Sequence, residues 1–283
     1  MPPRPRVLET PRPFLKWAGG KTQLLPEILK HLPEEIPFYI EPFVGGGAVF
    51  FALVRAGRVR HARLADRNPA LVEVWQRVRD DVERVIIAAR QWDPDKATYY
   101  AVRALDPDTL SAVDRAARIL WLNRHCYNGL YRLNRSGRFN VPFGRYARPQ
   151  TIDEDNLRRC SEALQGVEIL AGDFGQVLDH IEEDAVVYLD PPYAPVSATS
   201  KFNAYDGLFF TTDDQERLAR HFVTLTDRGA RCALLSNSCT PFTEGLYTGL
   251  GVGQFKVLAR RSINSKAGGR APINELLVKV ARP

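Results

Sequence analysis

Long apolar runs are missing from this 283-residue chain. No stretch of roughly 18 apolar residues occurs, so the sequence holds no candidate for a membrane-spanning helix. Met1–Pro13 carries proline and arginine but no apolar signal core, and a soluble, cytoplasmic protein without a leader is expected. Cysteine is scarce: Cys126, Cys160, Cys232 and Cys239 form no CxxC pair and no metal spacing. They read as reduced thiols, which excludes a disulfide scaffold and a zinc ribbon. There is no HExxH and no Cys/His cluster, so no metal is expected. Internal repeats and low-complexity tracts are absent too. Lysine is sparse, with 8 of the 39 basic residues, so arginine dominates. Arginine forks suit phosphates and guanine edges, although GC-rich coding gives the same ratio.

What remains is ordinary globular material, 45% hydrophobic and 25% charged, with a formal net charge of +6 that favours an anionic partner. Short apolar runs at Phe38–Pro42, Arg63–Asp66, Val167–Ala171, Ala185–Asp190 and Arg231–Asn237 read as buried strands of a parallel sheet. Helical patterns lie between them at Thr22–His31, Ala48–Ala56, Asn156–Leu164 and Thr212–Thr226. Phe255–Ile263 and Asn274–Val280, either side of a Gly-rich Ser265–Arg270 connection, predict an antiparallel pair closing the sheet. An insert from Pro69 to Asp155 interrupts this α/β core. It is helical through Trp121-Leu122, then rich in aromatics, glycine and asparagine over Cys126–Tyr146, which predicts a hairpin. The division expected is a loose arm over 1–12, a ligand-binding core over 13–68 plus 156–283, and an inserted unit over 69–155.

Asp190-Pro191-Pro192-Tyr193 ends the run Ala185–Leu189. An acid, a donor-less Pro-Pro and an aromatic suit a flat base bearing an amino group. Asp190 accepts from the NH2, a proline carbonyl accepts a second hydrogen bond, and Tyr193 stacks. A Pro-rich turn after a strand is the plainer reading. Glu41-Pro42-Phe43-Val44-Gly45-Gly46-Gly47 precedes a helix, and Asp66 ends the next strand. Glycines there permit close backbone approach, and an acid at that place holds ribose hydroxyls in nucleoside-binding α/β folds. A simple tight turn is the alternative. Trp17-Ala18-Gly19-Gly20-Lys21-Thr22 is not a phosphate loop, because position 15, where the first glycine belongs, is Leu. Lys21 can instead meet a carboxylate, although a surface lysine beside a core Trp17 is the plainer reading of the segment alone. From Arg118 to Gln150 there are seven arginines (118, 124, 132, 135, 138, 145, 148) and no acid, interleaved with Tyr127, Tyr131, Phe139, Phe143 and Tyr146. A charge run is usually a solvated face, but 33 residues without an acid in a chain with 33 acids point to a nucleic-acid-binding surface.

Taken in order, Trp17–Lys21, Glu41–Gly47, Asp66 and Asp190–Tyr193 resemble the alpha-group (D12 class), Dam-type DNA adenine-N6 methyltransferases. So do Asn123–Leu130 and Gly137–Tyr146 within the insert, and Arg261-Ser262-Ile263 with Asn274-Glu275-Leu276-Leu277 in the tail. The likeness runs from Pro13 onward. DPPY alone occurs in other amino-methyltransferases, and the insert is the more selective part.

The resemblance implies a Rossmann-like methyltransferase fold with a mixed, mostly parallel sheet, an antiparallel last strand and an inserted, mainly helical target-recognition domain. It implies S-adenosyl-L-methionine as cofactor, contacted by Trp17, Lys21, Phe43, Gly45, Asp66, Asp173, Phe174 and Asp190. Asp173 would accept from the cofactor's adenine amino group and Phe174 would flank its ring. Catalysis would fall to Asp190, Pro191, Pro192 and Tyr193. In double-stranded DNA, Tyr127 would insert at the flipped site and Asn128 would meet the vacated partner. Leu130, Arg132 and Pro142 match positions that read GATC. Arg124, Arg145, Tyr146 and Lys16 are further DNA contacts, Lys16 being equally readable as a solvated side chain. A cognate restriction endonuclease would be a functional, not physical, partner, and a monomer or weak dimer is expected. The alternatives are the same chemistry at another short sequence, and an inactive DNA-binding homologue.

Overall fold

Apolar runs without polar alternation need cover on both faces, and five of them build the parallel part of one sheet. The computed structural model describes residues 10–144, 146, 152–193, 210–259 and 273–282. In chain order the elements are α1 (Leu25–His31), β1 (Ile36–Glu41), α2 (Ala48–Arg55), β2 (Val59–Asp66), α3 (Pro69–Asp80), α4 (Val82–Arg90), α5 (Lys96–Ala104), α6 (Ala112–His125) and α7 (Glu154–Ala163). There follow β3 (Glu168–Ala171), α8 (Phe174–Leu178), β4 (Val186–Leu189), α9 (Thr212–Val223), β5 (Cys232–Ser238), α10 (Pro241–Tyr247), β6 (Gly253–Ala259) and β7 (Ile273–Ala281). The sheet order is β3-β2-β1-β4-β5-β7-β6. β1 through β5 are parallel, and β7 runs antiparallel between β5 and β6. This is the Rossmann-like α/β fold expected, with a mostly parallel sheet. Among the described residues no helix is long and apolar enough to cross a membrane.

Neighbouring residues on the central strands enter opposite cores. Tyr39 and Tyr188 join one cluster, while Ile40 and Leu189 join the other. That is the period of two a doubly covered strand imposes. The first cluster continues unbroken into the insert, because Trp75, Tyr99, Trp121 and Phe139 belong to it together with Tyr39 and Leu64. The second lies beneath α8, α9 and Tyr247.

Several details depart from the sequence pattern. The first helix begins at Leu25 rather than Thr22, because the Lys21 carbonyl accepts from Leu24 and Leu25 N–H and Pro26 occupies the first turn. The hairpin is two isolated bridges, Cys126 with Phe143 and Leu133 with Phe139, not a continuous ladder. A 3-10 turn at Tyr127–Gly129, with Asn128 left-handed at φ 55°, breaks its regularity. Pro11 and Arg12, the end of the expected arm, are held: Arg12 exchanges backbone hydrogen bonds with the Asn156 amide at 3.0 and 2.9 Å. Arg118 does not belong to the basic surface. It is buried, and its guanidinium donates to the carbonyls of Val102 and Arg103 at the end of α5. Arg138 is neutralised by Asp106 at 2.6 Å. Arg145, Arg148, Arg261-Ser262-Ile263 and the Ser265–Arg270 connection lie outside the described residues.

Candidate active site

Parallel strands deliver their carboxyl ends to one edge, and where the order reverses between β1 and β4 the loops diverge and leave a crevice. Here that crevice is a cavity of about 780 Å3. Its wall includes all eight candidate cofactor residues (Trp17, Lys21, Phe43, Gly45, Asp66, Asp173, Phe174, Asp190), and also Pro191, Pro192, Tyr193, Lys16 and Asn128. Arg124, Tyr127, Leu130, Arg132, Pro142 and Tyr146 are not part of it.

Asp190 follows β4 and is held on one oxygen. Lys21 Nζ lies 2.7 Å from Oδ1, and the Ser236 hydroxyl donates to the same atom at 3.1 Å. Lys21 is 4% exposed, which rules out the surface lysine that the sequence left open. Burial pushes the Asp190 carboxyl above its ordinary value, and the Lys21 charge offsets part of that rise. The Tyr188 hydroxyl braces Ser236 at 2.9 Å. Of the two proline carbonyls, that of Pro192 is taken: it accepts from Gln215 Nε2 at 2.9 Å, while Gln215 Oε1 accepts from Asn237 Nδ2 at 2.9 Å. Tyr193 donates its hydroxyl to Glu275 at 2.5 Å, and Lys21 sits 4.5 Å from the centre of its ring. Glu41, fully buried at the end of β1, accepts from Tyr39 at 3.0 Å, and burial holds its carboxyl well above the usual range.

The glycine loop is shaped by two tryptophans. Gly45 (φ 48°) lies under Trp17, whose Cδ1 would stand 2.8 Å from an added Cβ, and its carbonyl accepts from Trp75 Nε1 at 3.1 Å. Gly47 (φ 69°) faces Trp75 at 2.3 Å from an added Cβ. Sequence reasoning gave these glycines to a ligand; a neighbouring indole demands at least two of them. Asp66 accepts from Gly45 N–H at 3.1 Å and from Asn68 N–H at 2.9 Å, so it ties the glycine loop to the end of β2.

Asp173 caps α8 and is gripped by Arg217 through two bonds of 2.6 and 2.8 Å. The Arg217 guanidinium holds the Asp173 carboxyl below its ordinary value and stacks 4.0 Å from the Phe174 ring centre. Phe43, Phe174 and Phe210 form an aromatic group, with ring centres 5.4 to 5.8 Å apart.

On the insert side, Asn123 clamps the Trp17 segment to the hairpin. It accepts from Lys16 N–H at 2.8 Å and donates to the carbonyls of Lys16 and Gly129 at 2.9 and 3.0 Å. The Lys16 stem packs on Gly129, and its ammonium lies 5.3 Å from the Tyr146 ring centre. Tyr146 donates to the Cys126 carbonyl at 3.0 Å. Tyr127 is 50% exposed, and Asn128, Arg132 and Pro142 are exposed beside it. Arg132 donates to the Asn140 side chain at 2.7 Å. Leu130 and Arg124, the latter in the last turn of α6, are half-buried.

Ser236, Gln215, Asn237, Arg217 and Glu275 were missed from the sequence. The run Ser236-Asn237-Ser238 carried a usable signal, since polar residues ending a fully buried strand belong to a binding edge. Gln215 and Arg217 carried none, as polar positions in an amphipathic helix look alike until packed.

Residues 17–263 match the family model described as D12 class N6 adenine-specific DNA methyltransferase. The chain is 41% identical to the type II methyltransferase M.MjaIII of Methanocaldococcus jannaschii, covering 94% of this chain and 98% of that one. It is 38% identical to the DNA adenine methylase of Escherichia coli, covering 94% of each. It is 36% identical to that of Vibrio cholerae, covering 94% of this chain and 95% of the other. With an acid, a Pro-Pro and an aromatic at the switch point of its sheet, this chain belongs to the D12 class of adenine-specific DNA methyltransferases.

Proposed function

We propose that the protein transfers a methyl group from S-adenosyl-L-methionine to N6 of an adenine flipped out of double-stranded DNA, within GATC. The observation that carries this is Asp190, held through Oδ1 beside the Pro191 carbonyl, which accepts no hydrogen bond among the described residues, and the Tyr193 ring. The adenine amino nitrogen is a poor nucleophile because its lone pair is delocalised into the ring. Asp190 and the Pro191 carbonyl, each accepting one N–H, localise that pair and stabilise the charge that develops. Asp190 is also the group placed to take the leaving proton. A base inside the duplex cannot reach the cavity, so the target must unstack at a cost of a few kcal/mol. Tyr193 stacking returns about 1–3 kcal/mol of that.

The residues present fit the cofactor. Phe43, Phe174 and Phe210 offer an aromatic bed for its base, Asp66 and Asp173 offer acceptors, and buried acids face a cavity suited to a cation. When bound, the cofactor supplies a methyl group already activated by a positive sulfur. Residues 69–155 form the target-recognition unit in this reading, with 13–68 and 156–283 as the catalytic unit. Leu130, Arg132 and Pro142 read the sequence, and a well-placed arginine on guanine O6 and N7 discriminates by about 1–3 kcal/mol. Tyr127, Asn128, Arg124, Arg145, Tyr146 and Lys16 complete the DNA contacts. The enzyme works in the cell interior as a monomer or weak dimer. A cognate restriction endonuclease is its functional partner, a reading supported by the type II relative. Methylating a mixed plasmid pool and mapping N6-methyladenine tests substrate and sequence together. Marks confined to GATC support the reading, and marks elsewhere overturn the specificity.

A further inference from the structure

Glu275 is unusual for a strand residue beside the catalytic loop. It lies on β7, paired in register with Ser238, while Ser236 two positions along the same β5 edge holds Asp190. Its carboxylate is half-buried in a neighbourhood that already contains the acids Asp190 and Glu41 and the cation Lys21. Burial raises the Glu275 carboxyl above its ordinary value, so a charge here is costly and a neutral side chain would be the cheaper filler. What the site gains is a charge-assisted hydrogen bond from the Tyr193 hydroxyl at 2.5 Å.

We propose that Glu275 is a positioning residue for the target base: it anchors the Tyr193 hydroxyl and so sets the plane of the ring on which the base stacks. This rests on the reading of Tyr193 as the base platform. A tyrosine ring has two torsions: anchoring the hydroxyl oxygen fixes the first, and because the phenolic O–H prefers the ring plane, an acceptor at a fixed place orients the second. Lys21 stands 4.5 Å from the ring centre on one face. Lys21 also bonds Asp190, so Glu275, Tyr193, Lys21 and Asp190 form one continuous chain. Through it, the stacking plane is held in a set relation to the carboxylate that grips the amino group. The loop is pinned twice in succession, by Gln215 at the Pro192 carbonyl and by Glu275 at Tyr193. Misplacing a reacting group by about 1 Å costs up to a hundredfold in rate, which is the scale of the benefit.

The test is a mutant cycle of E275L, Y193F and the double variant, with E275Q and Y193A as controls. Single-turnover methylation at saturating cofactor and DNA is read beside the fluorescence lifetime of 2-aminopurine placed at the target adenine. Cofactor affinity and melting temperature verify folding. E275L and Y193F are expected to lose rate alike, roughly tenfold, for one hydrogen bond of about 1.4 kcal/mol. Both should lengthen the 2-aminopurine lifetime, leave cofactor affinity unchanged, and in combination fall no further. E275Q, which keeps an acceptor, should recover most of the rate. Multiplying losses in the double variant, or wild-type behaviour of E275L, would overturn the role of Glu275. Y193A behaving as wild type in rate and lifetime would sink the base-platform reading itself, and the inference with it.

Discussion

Lys21 and Ser236 meet Asp190 on the same oxygen, Oδ1, at 2.7 and 3.1 Å. The carboxylate is thereby fixed in orientation by protein groups, while among the described residues Oδ2 accepts no hydrogen bond and so suits the amino group of the proposed substrate. A lysine from the N-terminal segment and a serine from β5 thus converge on an acid that follows β4, a meeting the chain order does not announce.

Lys21→Met should move the acid side of the pH–rate profile to higher pH. In the proposed mechanism Asp190 must be ionised to stabilise the developing charge and take the leaving proton. Burial raises its carboxyl and Lys21 lowers it, so removing the cation raises it further. Activity then fails earlier as pH falls, and the loss is partly recovered at alkaline pH. Rates measured across pH at saturating cofactor decide this; an unmoved or downward-shifted limb counts against the ion pair as the tuning element.

Gln215→Leu should slow methyl transfer up to roughly tenfold, since the loop loses the hydrogen bond that holds the Pro192 carbonyl, worth about 0.5–1.5 kcal/mol. Gln215 is buried, and among the described residues it bonds the catalytic loop at the Pro192 carbonyl, so cofactor affinity should hold. Isothermal titration beside single-turnover rates separates the two. Loss of cofactor binding with an intact rate would place Gln215 elsewhere in the mechanism.

Gly47→Ala should be far more damaging than Gly57→Ala. Both positions have positive φ, at 69° and 67°, and each carries the left-handed cost of about 1–2 kcal/mol. An added Cβ at Gly47 meets Trp75 at 2.3 Å, whereas at Gly57 it meets nothing within 4 Å. Overpacking adds about 1–3 kcal/mol at Gly47 alone. Equal losses in denaturant melts would show that Trp75 moves aside freely.

Much of this architecture was legible beforehand. The five parallel strands announced themselves because uninterrupted Val, Leu and Ile runs have few other places to go, and DPPY stood out because an acid and two prolines end one of them. Partners that converge through long-range packing were not legible: Ser236 and Glu275 reach the site from strands far along the chain, and Arg217 reaches Asp173 from a helix face. The basic run of the insert was partly misleading. Charge counts along a sequence cannot separate Arg118, turned inward onto carbonyls, from Arg135, which is exposed.

That distinction has a measurable consequence. Arg135→Ala should lower the salt dependence of DNA binding by about one unit of slope if it neutralises one phosphate. Arg118→Ala should leave the slope alone and lower the melting temperature instead, because it removes buried hydrogen bonds within the insert. Affinity measured across a salt series, with thermal melts in parallel, distinguishes them; a reduced slope for Arg118→Ala would contradict its buried placement.

The most direct measurement is transfer of labelled methyl to DNA by Asp190→Ala, with DNA affinity measured on the same protein. The account expects methyl transfer to vanish while DNA affinity stays within a few-fold of the parent, because Asp190 grips the amino group and carries little of the phosphate-dominated affinity. Near-normal transfer by Asp190→Ala would contradict it.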